Sequence, residues 1–217
     1  MPLVNLLRSL PQSKRPIILR KQKKNLKSIK IASKFGKDYF DGKREHGYGG
    51  YYYDGRWKKV AKDFVKFFRI KKNYKILDIG CAKGFLVKDF NDLGIDCYGI
   101  DISDYAIRNC HKDIKEKIFY GNAKKIPFPD NFFDVVISIN CAHNLELKEC
   151  MIAIKEMNRV CKTNNCFLQV DSYKNAYQKK LFEDWVLTAK THFYPKKWRE
   201  IFKKCSYKGC WNWTILK

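Results

Sequence analysis

The chain is poor in acidic residues, in histidine and in uninterrupted apolar sequence, and each shortage excludes something. No stretch of about 18 apolar residues occurs, so the sequence offers no membrane-spanning helix. Its nine cysteines include no Cys-x-x-Cys pair. The tightest pairs, Cys161/Cys166 and Cys205/Cys210, have no histidine beside them, which argues against a zinc centre or a disulfide framework. No metal is expected. Cys81, Cys97 and Cys141 lie in or beside apolar runs, where a reduced thiol acts as a small hydrophobe, so a reducing, cytoplasmic setting is expected. Met1 to Leu10 is mildly apolar but is followed by Pro11 and basic residues, the wrong order for a secretory signal. Repeats and low-complexity segments are also lacking.

Against 22 acids stand 45 Lys and Arg, a formal net charge of +23. Most of the excess is lysine scattered along helices, including Lys62, Lys88, Lys155 and Lys203, the pattern of solvated faces. Only the stretch from Lys14 to Lys34 is a local basic run. It reads as another solvated face, with an anionic partner such as nucleic acid as the rival.

What is present suits one α/β domain with an N-terminal extension. The 217 residues are 45% apolar and 15% aromatic, enough for a sizeable core. A basic helix is expected over Ile18 to Phe35. After it comes Asp38 to Trp57, five glycines among aromatics, which reads as a loop folding over something. Trp57, Val60, Ala61, Phe64 and Phe68 then keep helical spacing. Strands follow at Lys75 to Asp78, Cys97 to Asp101, Lys117 to Tyr120, Val135 to Ile139 and Cys166 to Asp171. Between them lie helices from Gly84 to Leu93, from a Ser103 cap to Cys110, and from Leu147 to Val160. Helices near Ala176 to Ala189 and Pro195 to Cys205 precede an aromatic strand, Trp211 to Leu216. Such alternation implies a mainly parallel sheet with helices on both faces.

Chemistry concentrates in Lys75-Ile-Leu-Asp-Ile-Gly-Cys-Ala-Lys-Gly84 and Tyr98-Gly-Ile-Asp101. An apolar strand that stops at Asp78 and turns through Gly80 and Gly84 into a helix brings backbone close to a nucleotide. Asp101 ends the next strand, where a carboxylate accepts both hydroxyls of a ribose. A dinucleotide fingerprint would deliver a pyrophosphate to the helix N-terminus; Asp78 inside the motif would repel one and suits a cationic amino-acid end. The pattern resembles motif I of the class I S-adenosylmethionine-dependent methyltransferases, with Ala82 at the usual middle glycine. Gly121-Asn-Ala123, the stretch Ile126-Pro-Phe-Pro-Asp-Asn-Phe-Phe-Asp134 and the loop Asn140 to Asn144 extend the resemblance to the small-molecule (type 11) branch. It covers about Trp57 to Asp171.

This resemblance implies S-adenosyl-L-methionine as cofactor, bound by Asp78, Gly80, Ala82, Gly84, Asp101 and the adjoining Ile102. Asn122 and Ala123 would meet the adenine, and the backbone at Asn140 the methionine end. The expected architecture is a Rossmann-like, mainly parallel sheet with an antiparallel C-terminal strand. Residues 1–56 form the extension and lid, and 57–217 the methyltransferase domain.

His143 is the candidate general base, because imidazole titrates near neutrality and the loop lies beside the methyl donor; its alternative is a structural histidine. Tyr48, Tyr51, Tyr53, Arg56 and Trp57 are the candidate lid and substrate residues, with Arg56 as the anion contact and Gly47 and Gly55 as hinges. The alternative is a packed loop covering the sheet edge. Asp171, Lys190, Thr191 and His192 are further candidates for bordering the substrate, a point the sequence leaves open. A small polar metabolite, such as a sugar, nucleotide sugar or phosphorylated compound, is the expected acceptor, methylated on oxygen or nitrogen. RNA or protein is the rival acceptor. A non-catalytic cofactor-binding subunit is a third reading.

Overall fold

The computed structural model describes residues 2–12 and 15–216. Three short helices open the chain: α1 (Ile17–Lys23), α2 (Leu26–Ala32) and α3 (Lys37–Phe40). The single helix expected over Ile18 to Phe35 is therefore two. Asn25 is the reason: it adopts extended backbone and its side chain accepts from the Ser28 N–H at 2.9 Å, starting α2 afresh with a reciprocal cap.

The remaining order is α4 (Lys58–Phe68), β1 (Lys75–Ile79), α5 (Phe85–Asp92), β2 (Asp96–Asp101), α6 (Asp104–Arg108) and β3 (Ile118–Tyr120). It continues through β4 (Val135–Ile139), α7 (Leu147–Val160), β5 (Cys166–Asp171), α8 (Ala176–Trp185), α9 (Pro195–Lys204) and β6 (Cys210–Thr214). The sheet order is β3-β2-β1-β4-β5-β6. Alternation along each strand divides the core between the two faces. Ile76, Val135, Ile137 and Phe167 pack with Val60 and Phe64 of α4 and Phe90 of α5. Leu77, Val136 and Leu168 pack with Ile154 and Met157 of α7 and Trp198 and Phe202 of α9.

Every strand pair is parallel, β6 included, with Phe167 opposite Cys210 and Asp171 opposite Thr214. The antiparallel C-terminal strand is thus corrected. Between β5 and β6 the chain passes through α8 and α9, enough length to return to the starting end of the sheet, as a parallel crossover requires. The outer edge of β6 is covered by the N-terminus, where Val4 N–H donates to Trp211 O at 2.9 Å. No helix among the described residues is long and apolar enough to cross a membrane.

Strand order reverses between β1 and β4. In an open parallel sheet this opens a crevice at the carboxyl ends of the strands, the usual seat of a ligand.

Candidate active site

The loop after β1 carries three left-handed residues: Gly80 at φ +76°, Ala82 at +52° and Gly84 at +72°. A Cβ on Gly80 would sit 2.5 Å from Cys141 Cβ and Sγ, so the approach of the β4 loop demands glycine there. Ala82 holds a conformation that costs an L-residue on the order of 1 kcal/mol. Its N–H compensates, donating to Asp101 Oδ2 at 2.8 Å, while the Ser103 N–H donates to Oδ1 at 2.8 Å. Asp101 thereby sets the loop's shape and keeps lone pairs free for hydroxyls.

Asp78 is different. It is 5% exposed, and among the described residues its carboxylate has neither a hydrogen bond nor an ion pair. Burial, and then the Asp101 charge, push its pKa up to about 7. Burial raises Asp101 as well. Two carboxylates with no cation paired to either among the described residues form the crevice floor, an arrangement completed by a cationic ligand that also carries hydroxyls.

Around this floor stand the other expected residues. Ile102 is 47% exposed at the mouth. Asn122 uses its side-chain oxygen on the Lys124 N–H at 2.9 Å, which leaves its amide protons free, and Ala123 packs partly into the core. Asn140 ends β4 at φ +54°, exposed, with Oδ1 accepting from the Thr214 hydroxyl at 2.7 Å. Among the described residues no cluster of His, Cys, Asp and Glu could hold a metal.

His143 is buried, with both ring nitrogens engaged. Nδ1 accepts from the Asp171 N–H at 3.0 Å, and Nε2 lies 3.2 Å from Asp171 Oδ2. Burial lowers its pKa, with Asp171 opposing. In the neutral ring the proton therefore sits on Nε2, and the lone pair on Nδ1 is already used. The carboxylate beside it ends β5, with its side chain 14% accessible; burial raises the Asp171 pKa.

The segment from α3 to α4 is packed rather than slack. Tyr51 stacks on Phe85 with centroids 4.8 Å apart, Tyr48 lies 4.5 Å from Tyr51, and the Tyr53 hydroxyl donates to Asp89 at 2.5 Å. Trp57 is half-buried against the α4–α5 core. Arg56 pairs with Asp54 at 2.6 Å, both side chains about half exposed. At Gly47 a Cβ would meet Tyr39 O at 2.0 Å, so close packing requires glycine there. The pin that holds the segment is Asp41. It takes Lys83 Nζ at 2.6 Å, the Tyr105 hydroxyl at 2.7 Å and the Tyr51 N–H at 3.1 Å.

Sequence reasoning passed over Asp41 and Lys83, and also Arg15, Arg20 and Arg44. Arg20 is 7% exposed and donates to Gly47 O at 2.6 Å. In the sequence it is one basic residue among many.

Residues 77–168 match the family described as "Methyltransferase domain". Over 115 residues the chain is 28% identical to the uncharacterized methyltransferase YcgJ of Bacillus subtilis, covering 50% of this chain and 45% of that protein. Over 117 residues it is 32% identical to a demethylmenaquinone methyltransferase of a Geobacillus species, covering 49% of each. The chain thus spans about half the length of the curated relatives it matches. A solved S-adenosylmethionine-dependent methyltransferase from Archaeoglobus fulgidus shares the fold at a TM-score of 0.57 and 17% identity, over 75% of this chain and 71% of that one. Residues 77–168 are thus similar to methyltransferase domains, and the fold is one that a solved S-adenosylmethionine-dependent methyltransferase shares, in line with the resemblance carried by the glycine loop.

Proposed function

We propose that the protein binds S-adenosylmethionine across the carboxyl ends of β1, β2 and β4 and transfers its methyl group to oxygen or nitrogen of a small polar acceptor. The observation that carries this reading is Asp78, a buried carboxylate with no cation, at the point where the cofactor's ammonium belongs. Asp101 receives the ribose hydroxyls, Ile102 and Ala123 flank the adenine, and the free amide protons of Asn122 face its edge. When bound, the cofactor supplies a methyl group already activated on sulfur. What remains for the protein is alignment, exclusion of water and removal of one proton, and alignment alone contributes several kcal/mol.

Tyr48 and Tyr51 form the cover. Tyr48 keeps 41% of its surface open, and its ring lies 4.5 Å from Tyr51 and 5.8 Å from Phe40. A cover pinned to the cofactor loop through Asp41 and Lys83 suits a small enclosed acceptor better than a long polymer. Asp171 takes the acceptor's proton, and His143 holds Asp171 in place.

Calorimetric titration with S-adenosylhomocysteine tests the reading, followed by a search of metabolite pools for products gaining one methyl group. Binding that falls more than tenfold in Asp101→Ala agrees with loss of charge-assisted hydrogen bonds. No binding by the intact chain refutes the proposal. Steeply salt-dependent, sub-micromolar RNA binding would move the acceptor to nucleic acid.

A further inference from the structure

Three arginines gather near the end of β5, and among the described residues none of them is hydrogen-bonded or ion-paired to a carboxylate. Arg20 and Arg44 both lie over the Trp185 indole at the end of α8, 4.0 and 5.3 Å from its centroid. Their hydrogen bonds go only to neutral carbonyls: Arg20 to the oxygens of Arg44 and Gly47, Arg44 to those of Gly47 and Tyr48. Arg20 Nε is buried with no partner among the described residues. Arg15 has no hydrogen bond or ion pair from its side chain among the described residues, and it is exposed.

Position gives this cluster its meaning. Ile17 packs with Tyr173, Phe182 and Trp185, which fixes the chain just before α1 over the end of β5. Arg15 there lies within the fields of Asp171 and of Arg44. Desolvation lowers the pKa of all three arginines. Arg44 Nη1 is occupied, whereas its other nitrogens and the whole Arg15 head remain for a ligand. Arg44 Nη1 donates to Tyr48 O, the Tyr48 ring lies 4.5 Å from Tyr51, and Tyr51 stacks on Phe85 beside the glycine loop, so the tyrosines stand between Arg44 and that loop.

We infer that Arg15 and Arg44 form a subsite for an oxyanion, carboxylate or phosphate, carried by the methyl acceptor. Planar guanidinium forks match such groups bidentately, and Arg20, held beneath against Trp185, adds its field without needing contact. This deepens the methyltransferase reading by giving its acceptor a negative charge, but the subsite itself can be tested without turnover.

The experiment is calorimetric titration of the full chain with inorganic phosphate, and separately with acetate, at physiological ionic strength to screen the scattered lysines. Each is repeated with saturating S-adenosylhomocysteine. Arg15→Gln is the informative variant, because its side chain holds nothing else in place; Lys203→Gln, on the outer face of α9, is the control. The expected result is saturable one-site binding, weakened about tenfold or more in Arg15→Gln, partly kept in Arg15→Lys and unchanged in the control. Affinity for S-adenosylhomocysteine stays constant across the set. Tighter binding of phosphate than acetate assigns the phosphate source, and the reverse order the carboxylate. Non-saturable uptake, or binding indifferent to Arg15, overturns the subsite. A parallel loss of S-adenosylhomocysteine affinity also overturns it, by giving the cluster to the cofactor's own carboxylate. Should the intact chain bind phosphate through Arg15 but never S-adenosylhomocysteine, the methyltransferase reading fails while the anion subsite stands.

Discussion

Lys83 of the cofactor loop and Asp41 of the covering segment meet at 2.6 Å, with side chains only 7% and 15% accessible. Burial opposes the Asp41 charge, yet Lys83, Tyr105 and the Tyr51 N–H together hold its pKa below the usual carboxylate range. Lys83 also donates to Tyr51 O at 3.0 Å, so one cation fastens the cover to the loop that receives the ligand.

Breaking this pair from one side strands a buried charge. Asp41→Ala is expected to cost about 3 kcal/mol in denaturant unfolding and to expose Lys43 and Arg44 to trypsin. Affinity for S-adenosylhomocysteine should fall with it. Removing both charges in Asp41→Ala/Lys83→Met should recover much of the stability while the cover stays loose. If cleavage and affinity are unchanged in Asp41→Ala, the pair is not a fastening.

Asp78 offers a test whose sign depends on pH. Its folded pKa of about 7 lies above the ordinary 3.8. Between these values the folded chain holds a proton that the unfolded chain has released, so this group's contribution to stability declines as pH rises and its cost is complete above about pH 7. Asp78→Asn removes the cost. The variant should melt several degrees above the parent near pH 8 and close to it near pH 4, while cofactor binding drops at least tenfold. In the parent, binding near pH 6 should release close to one proton, measured by calorimetry in buffers of different ionisation enthalpy. Proton-neutral binding would mean that no cation meets Asp78.

Much of this arrangement is legible in the sequence, because strands here are apolar runs that end in an acid or a polar residue. Asp78, Asp101 and Asn140 are all found where such a run stops. Ser103 is legible as a cap, and its hydroxyl does accept the Ala106 N–H. Direction is not legible for β6, since alternation looks the same in either sense and the α8–α9 passage decides it. Nor are the roles of Arg15 and Arg20. Arg15 and Arg20 sit in a run that reads as a solvated face, and what makes burial of Arg20 tolerable comes from Gly47, Arg44 and Trp185, far along the chain. The capture of Arg56 was within reach, because Asp54 stands two residues away and an acid that close competes with any distant anion.

Gly80 and Ala82 separate steric need from backbone preference. Gly80→Ala adds a Cβ into Cys141 at φ +76° and should cost well over 2 kcal/mol, with cofactor affinity lost. Ala82→Gly relieves a left-handed alanine but frees the unfolded chain, effects of about 1 kcal/mol each that oppose. Denaturant midpoints should therefore shift little for Ala82→Gly, and S-adenosylhomocysteine should bind as before. A large loss at Ala82 would show that its methyl group, rather than its N–H to Asp101, shapes the loop.

His143 and Asp171 make the last prediction, because positioning and base catalysis leave different pH signatures. Burial lowers the His143 pKa below its ordinary 6.5, so just under that value the unfolded chain binds the proton and the folded chain does not. Stability from this group is present at neutral pH and is lost on acidification through the window below about 6.5. His143→Asn, which can still accept the Asp171 N–H, should remove that dependence: the variant loses stability relative to the parent at neutral pH and regains ground as pH falls. Turnover follows separately. A base needs a free lone pair, and the one on Nδ1 is taken by the Asp171 N–H. The variant should therefore turn over more slowly but keep the shape of the parent's kcat profile, with an acid limb set by Asp171. A parental limb that disappears in His143→Asn would return the general-base role to the imidazole.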